Sequence, residues 1–421
     1  MSYSKRLVDH VLDEWLSLLP AIAVEGAKGV GKTATAARRA DTVYSLDKRA
    51  TRLSIEQNPE IVTDGSSAVF IDEWQLVPDV WDVVRRAVDD GAEPGRFLLA
   101  GSAGIAPGTR IHSGAARIVR LMMRPLSLPE RRIAEPTVSL TDLLEGSRPS
   151  LEGSTNLTTN DYVDEILASG FPGIRSRPQK AHSLLLSNYL DQIVDHDIVE
   201  AGGRVHRPIA LRGWLAAYGA ASSTTASYAS ILQAATPGED DKPAKQTGMA
   251  YRDLLQRLWV LDPLPSWSPV FSHLKRLGQA PKHHLVDPAL AATLVGATRE
   301  SLLRGEGPMR NDDTFLGALF ESLAVQTVRV LASCSQARVA HLRTAGGKHE
   351  VDMIVERADH RVVAIEVKVS TSIRPGDVAH LNWLETQIPD RVVDKVILYA
   401  GPYAYRRPDG VGVVPLALLG L

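Results

Sequence analysis

Gly26-Ala27-Lys28-Gly29-Val30-Gly31-Lys32-Thr33 sets glycines, an ammonium and a hydroxyl at the spacing G-x-x-x-x-G-K-[ST]. That spacing wraps a polyphosphate: glycines let backbone N–H groups curl inward, Lys32 reaches the β/γ oxygens, and Thr33 can hold Mg²⁺. Downstream, Ala68-Val69-Phe70-Ile71-Asp72-Glu73 is an apolar run ending in two carboxylates. Asp72 would orient the Mg²⁺ shell and Glu73 would polarise an attacking water. Ser102, closing Phe97-Leu98-Leu99-Ala100-Gly101, is either a sensor of the terminal phosphate or an ordinary strand-to-helix turn. Arg117 and Arg124 offer guanidinium groups that suit charge spread over phosphate oxygens, or else serve as surface and salt-bridging residues.

A second set lies near the C-terminus: Glu321 on a helical pattern, Asp352 in Glu350-Val351-Asp352-Met353-Ile354-Val355, and Glu366 and Lys368 in Val362-Val363-Ala364-Ile365-Glu366-Val367-Lys368. The alternation of a strand puts Glu366 and Lys368 on one face. An antiparallel partner can bring Asp352 against Glu366 to hold Mg²⁺, with Glu321 as a further carboxylate and Lys368 to orient or deprotonate water. Alternating Glu and Lys is equally a normal solvated strand face. His349, just before that strand, is either a proton shuttle or a surface histidine.

These residues need strands to aim them. Ala21-Ile22-Ala23-Val24 precedes the glycine-rich segment as a buried strand would, and the Ala-rich stretch from Ala34 to Ala40 follows as a helix would. Residues 139–159 are rich in Ser, Thr, Gly and Asn without an apolar period, which predicts a linker. Tyr162, Ile166, Leu167, Leu184, Leu185, Tyr189 and Ile193 recur at helical spacing. Residues 209–260 have the rhythm of a helix-turn-helix followed by a short hairpin, interrupted by the polar loop 237–243. Lys242, Lys245, Arg252 and Arg257 are diluted there by acids, so the module is either a joint between domains or a DNA reader. Further basic residues at Arg204, Arg207, Arg212, Lys275, Arg276 and Lys282 leave a composite patch open.

At 421 residues the chain exceeds one ordinary core, and a formal net charge of -2 gives no overall electrostatic case for nucleic acid. No apolar run approaches the roughly 20 residues that cross a bilayer, and no signal-peptide pattern opens the chain, so no membrane partner and a cytoplasmic protein are expected. The lone Cys334 excludes an internal disulfide framework and a cysteine zinc site.

The glycine-rich loop, the apolar-Asp-Glu strand, Leu98-Leu99-Ala100-Gly101-Ser102 and Arg124-Pro125-Leu126-Ser127-Leu128 together resemble a group of bacterial and archaeal AAA+ ATPases. The likeness continues through Gly170-Phe171-Pro172, Tyr189, Asp197-Ile198 and Asp287-Pro288-Ala289-Leu290, where Ala289 departs from the usual glycine. The order helix Glu321, strand Asp352, strand Glu366-x-Lys368 resembles the core of restriction-endonuclease-like nucleases. The resemblance implies an α/β chain: an AAA+ P-loop ATPase domain with a parallel sheet (1–135), a linker (136–160), a helical and winged-helix-like region (161–305), and a restriction-endonuclease-like, PD-(D/E)XK-type domain (306–421). It implies ATP and Mg²⁺, slow hydrolysis, and nucleotide control of a nuclease-like domain associated with DNA or another nucleic acid. The alternative is an ATP-dependent regulatory or toxin-like switch on a protein partner, with the nuclease-like fold an inactive scaffold.

Overall fold

The computed structural model describes residues 3–104, 112–203, 207–235, 245–269, 277–308 and 314–421, the side chain of residue 245 excepted. The loop 237–243, Arg204, Lys242, Lys275 and Arg276 therefore lie outside the described residues, as does the Lys245 side chain.

The first sheet is built from β1 (Ala21–Glu25), β2 (Thr42–Ser45), β3 (Val69–Asp72), β4 (Phe97–Gly101) and β5 (Val119–Met122). All pairings are parallel, in the order β2-β3-β4-β1-β5. β1, β3 and β4 are buried along their whole length, as continuous apolar runs in a covered parallel sheet must be. Parallel register carries Glu25, Asp72 and Gly101 to one edge, so the loops that follow them share a rim. Arg117 precedes β5, whose first residue pairs with Ile22, and so belongs to the opposite edge.

The middle of the chain is helical: Thr159–Ala168, Gln179–Gln192, a π-helical turn Ile193–Asp197, Pro208–Ala220, Tyr228–Ala235 and Lys245–Arg257. The helix Gln179–Gln192 buries His182, Leu186 and Leu190, a stripe at four-residue spacing that leaves the expected core residue Leu184 exposed. After these helices, isolated antiparallel bridges join Leu261 to Leu285 and Leu264 to Lys282.

The expected linker is a packed element. β6 (Val138–Ser139) leads into a helix Leu140–Glu145 that buries Leu140, Leu143 and Leu144. The apolar positions are too few for a sequence period, and the surface that buries them comes from the far end of the chain.

There β7 (Arg338–Arg343), β8 (Glu350–Glu356), β9 (Val362–Lys368), β10 (Val392–Tyr399), β11 (Tyr405–Arg406) and β12 (Gly412–Pro415) form a mixed sheet in the order β11-β12-β10-β9-β8-β7. β7, β8 and β9 are antiparallel neighbours, while β10 runs parallel to β9 and β12. β13 (Leu419–Gly420) returns to pair with β6.

One long helix, Phe315–Cys334, is N-capped by Thr314 and packs on β7 and β9 on one side and on the first helix, Leu7–Leu16, on another. Its 20 residues are long and apolar enough to cross a membrane, contrary to the expectation for this chain, but 15 of them are buried in the protein. Around it one hydrophobic cluster runs through all three regions, including Leu12 and Ile22, Leu215 and Leu290, and Leu323 and Ile365.

Asp287 pins the regions together. Its buried carboxylate accepts from Gly170 N at 2.7 Å and caps the helix Pro288–Leu294 through Ala289 N at 2.9 Å. Gly170 O in turn accepts from Leu126 N at 2.8 Å, and a Cβ at Gly170 would sit 2.8 Å from Leu126 O. Loss of a cap costs about 1 kcal/mol and a buried orphan N–H about 1–3 kcal/mol more. Asp287→Ala is thus expected to cost roughly 2–4 kcal/mol. The urea midpoint should drop without a change of slope, and Asp287→Asn, which keeps an acceptor, should lose less.

Candidate functional site

The loop after β1 is shaped before any ligand arrives. Gly26 has φ +153°, and a Cβ there would lie 2.1 Å from Met123 O, so only glycine passes beneath β5. Gly31, at φ +106°, turns the chain into the short helix Lys32–Ala36. The loop carbonyls are occupied one by one. Lys32 Nζ donates to Gly26 O at 2.8 Å and Ala27 O at 3.0 Å. Tyr189 Oη donates to Lys28 O at 3.1 Å, Arg6 Nη1 to Val30 O at 2.8 Å, and Thr35 N to Gly31 O at 3.0 Å. With the carbonyls engaged, amides are left to meet phosphate oxygens.

Thr33 Oγ1 donates to Asp72 Oδ2 at 2.9 Å, bringing together the two residues expected to hold Mg²⁺. Asp72 Oδ1 is buried without a hydrogen-bond partner, and burial pushes this carboxyl above its ordinary value. An orphaned carboxylate oxygen beside a hydroxyl is a donor set that fits a hard divalent cation. Glu73 sits in the left-handed region at φ 55° and accepts from Ser102 Oγ at 2.6 Å and from Gln75 Nε2. Burial pulls the Lys32 ammonium down to about 8, against the opposing charges of Glu73 and Asp72.

Lys28, Thr33, Asp72, Glu73 and Ser102 line a cavity of about 690 Å³ whose far wall comes from the middle region: Tyr189, Ile193, Asp197, Leu258 and Val260. Lys28 Nζ reaches across it to Asp197 Oδ1 at 3.0 Å. The expected residues Gly26 to Thr33, Asp72, Glu73 and Ser102 therefore converge.

The two arginine candidates do not. Arg117 is tied to Asp89 at 2.7 Å on the opposite edge of the sheet, because β5 runs parallel to β1 and starts at its beginning. Arg124 is buried against Asp262 at 2.6 Å, with Arg329 on the same carboxylate at 2.9 Å. A guanidinium that sequence reasoning passed over, Arg52 on the helix Arg49–Gln57, lines the cavity instead. Its side chain makes no hydrogen bond or ion pair among the described residues. Its signal was faint: one arginine on a polar helix, with nothing in the spacing to aim it.

The C-terminal set is also assembled, but around a different cation. Asp352 Oδ2 accepts from Val367 N at 2.9 Å, which seats it beside Glu366 across β8 and β9. Lys368 Nζ donates to Glu366 Oε2 at 3.2 Å. The ammonium of Lys282 then touches Glu321 Oε1 at 2.9 Å, Glu350 Oε1 at 3.0 Å and Asp352 Oδ1 at 2.9 Å.

The expectation that Glu321, Asp352 and Glu366 form a metal centre is corrected accordingly. Among the described residues no group of three or more His, Cys, Asp or Glu side chains is arranged to hold a metal ion. The oxygens ring a nitrogen at hydrogen-bond distance, whereas Mg²⁺ needs oxygens at roughly 2.0–2.1 Å. Burial pushes Glu321 up to about 8 despite Lys282. Burial also raises Glu366 well above the carboxylate range. At Asp352 the charges of Lys282 and Lys368 outweigh burial and hold the group well below that range. His349 stacks on Trp383 at 4.1 Å. Lys282 and Glu350 are the residues that sequence reasoning missed. Only their distance along the chain, 68 residues, kept the pair from being legible.

Residues 19–131 match the model of an AAA domain. Residues 159–301 and 316–419 match two domains of unknown function, DUF8612 and DUF4143 respectively. Two mycobacterial relatives, the uncharacterized proteins Mb2031c of Mycobacterium bovis and Rv2008c of Mycobacterium tuberculosis, are each 24% identical over 374 residues, spanning 87% of this chain and 72% of theirs. The Walker-type ATPase PABY2304 of Pyrococcus abyssi is similar at TM-score 0.41 and 13% identity, over 68% of this chain and 94% of that one. The glycine-rich loop and the Thr33–Asp72 pair lie inside the stretch that matches an AAA domain, a match that supports ATP binding.

The lowered Lys32 has a measurable consequence. Near pH 8 about half of the ammonium groups have lost their proton, and a bound triphosphate would restore it. ATP binding at pH 8 should therefore take up about half a proton, read by calorimetry in buffers of different ionisation enthalpy. The uptake should vanish near pH 6.5, where Lys32 is already charged, and in Lys32→Met.

Proposed function

We propose that this chain is a slow Mg²⁺-dependent ATPase, acting in the cytoplasm, whose nucleotide state is passed to the middle and C-terminal regions. The observation that carries this reading is the cavity itself: one wall is the phosphate loop, the other the helices of the middle region, and Lys28–Asp197 joins them. A triphosphate entering here must meet both walls.

The loop amides hold the phosphates, and Lys32 exchanges Gly26 O and Ala27 O for β/γ oxygens. Thr33 and Asp72 would hold Mg²⁺, which would offset charge on the terminal phosphate. Glu73 polarises the attacking water, kept in place by Ser102. Arg52 meets the charge that spreads over the terminal oxygens, supplying within one chain what a neighbouring subunit would otherwise lend.

The output is read from the C-terminal sheet. A helix, three antiparallel strands, a helix and a strand parallel to β9 is an order that supports a restriction-endonuclease-like fold, with Asp352, Glu366 and Lys368 together at β8 and β9. Three helices followed by antiparallel bridges support a winged-helix-like middle that would meet DNA or another nucleic acid. One observation favours the second reading, a regulatory or toxin-like switch on a protein partner with an inactive nuclease-like scaffold. Lys282 already fills the acid cluster.

Three variants test the ATPase. Lys32→Ala should abolish the rise in melting temperature on adding ATP and Mg²⁺; an unchanged rise removes the nucleotide site. Glu73→Gln should bind ATP normally but hydrolyse it about 10²–10⁴-fold more slowly, the range for losing a general base. Arg52→Ala should cut turnover by roughly 10³-fold with binding little changed. Plasmid binding and cleavage, followed against salt concentration, separate the two outputs: phosphate contacts weaken steeply with salt, and a protein-directed switch shows neither.

A further inference from the structure

Lys28 is an exposed residue of the phosphate loop, and the middle region holds it twice. Tyr189 Oη donates to its carbonyl at 3.1 Å, and its ammonium donates to Asp197 Oδ1 at 3.0 Å. Both partners lie on one stretch of helix: Tyr189 within Gln179–Gln192, and Asp197 at the end of the π-helical turn Ile193–Asp197 that continues it. Tyr189 is anchored in turn against Phe171, with ring centroids 4.9 Å apart. Its bond goes to a backbone oxygen and does not depend on the Lys28 side chain. The hold of Asp197 is on the charge alone.

The setting of that charge matters. Lys28 and Asp197 line the same cavity as Thr33, Asp72, Glu73 and Ser102. Burial alone would lower the Lys28 ammonium, but the bond to Asp197 and the charges of Asp197, Glu200 and Glu73 raise it. At Lys32, which burial lowers most, the charge of Lys28 lowers the ammonium further. The Lys28 ammonium thus stands within electrostatic reach of both Glu73 and Lys32, the two residues that would flank a terminal phosphate.

We propose that Asp197 is a specificity-determining residue of this cavity: its carboxylate occupies Lys28 until a terminal phosphate takes its place, so that the site distinguishes triphosphate from diphosphate. The proposal rests on the ATP reading of the cavity given above. The exchange swaps one anion for another on a single ammonium, and the phosphate brings more charge and more acceptor oxygens than the carboxylate. ADP lacks the third phosphate and leaves the Lys28–Asp197 pair in place. The pair is partly exposed, 58% at Lys28 and 12% at Asp197, so its strength is modest and a ligand can displace it.

Once Lys28 turns to the phosphate, the helical stretch keeps its grip on the loop at the Tyr189 end only. The segment then released is the π-helical turn, a rare geometry that recurs at functional sites. On its outer side Asp195 holds Arg212 of the helix Pro208–Ala220 at 2.8 Å, with Asp191 on the same guanidinium at 3.1 Å. A displaced turn therefore carries a second helix of the middle region with it.

The test is calorimetry on the full chain with Mg²⁺, comparing ADP with the β,γ-imido analogue of ATP, which is not hydrolysed. Asp197→Asn should bind the triphosphate about 5-fold more tightly, the upper scale for one partly exposed ion pair, and ADP as before. Asp197→Glu, which keeps the charge, should keep the preference of the unaltered protein. Lys28→Met should weaken the triphosphate alone, and Asp197→Asn added to it should have little further effect, since the two residues act as one pair. Should Asp197→Asn fail to fold by circular dichroism, Asp197→Ser carries the same comparison. A merely structural role would move both nucleotides together, or act equally with and without Lys28. Either result overturns the proposal, as does an unchanged preference in Asp197→Asn. Failure of the underlying ATP reading looks different: the unaltered protein would bind neither nucleotide, which removes the site and the proposal together.

Discussion

A phosphate loop works only if its amides point at the ligand, and peptide geometry then sends its carbonyls somewhere that must satisfy them. This chain meets that constraint from three directions. Arg6, ahead of the first helix, takes Val30 O and is itself held by Glu130 at 2.8 Å. Tyr189 takes Lys28 O from the middle region, and Lys32 closes the loop on itself. The loop is thus preorganised by residues 20 or more positions before it and more than 150 after it. Such a loop cannot change without informing both neighbours.

The same logic explains why the three regions share a core. Strands that end at one rim need a floor: Leu7–Leu16 packs on β1, and the helix Phe315–Cys334 packs on Leu7–Leu16 in turn. Asp287 then fixes the middle region to the strap Arg124–Leu128 through Gly170. A charge-assisted bond to a buried amide is short and directional, which sets the angle between regions as packing alone would not. Arg124 and Arg329 do similar work at Asp262, where burial is outweighed by two guanidinium groups and the carboxyl titrates at about 2.

What could be read from the amino-acid order was whatever is local. Gly26 to Thr33 spells its own conformation, and Asp72 and Glu73 follow from an apolar run that must end at a rim. Even Asp352, Glu366 and Lys368 were legible, because alternation along a strand fixes their faces. The failures are all long-range. Arg117 was misplaced because its position depends on which end of β5 meets β1. The segment after residue 136 read as a linker because its burial partner, β13, lies some 280 residues away. Arg52 and Lys282 carry no local pattern, since each is aimed by the packing of a helix or a bridge. The motif Tyr189 and Asp197 was visible only as likeness to other chains, and the structure supplies its physical sense as a clamp on Lys28.

The central helix also dictates an order of assembly. The face of Leu7–Leu16 that it covers is synthesised roughly 300 residues earlier, which at about 5–20 residues per second means some 15–60 s of exposure on the ribosome. The ATP-binding lobe is therefore born with an open apolar side. During that interval either a chaperone shields the nascent lobe, or the lobe stays loose until its lid of leucines and valines emerges.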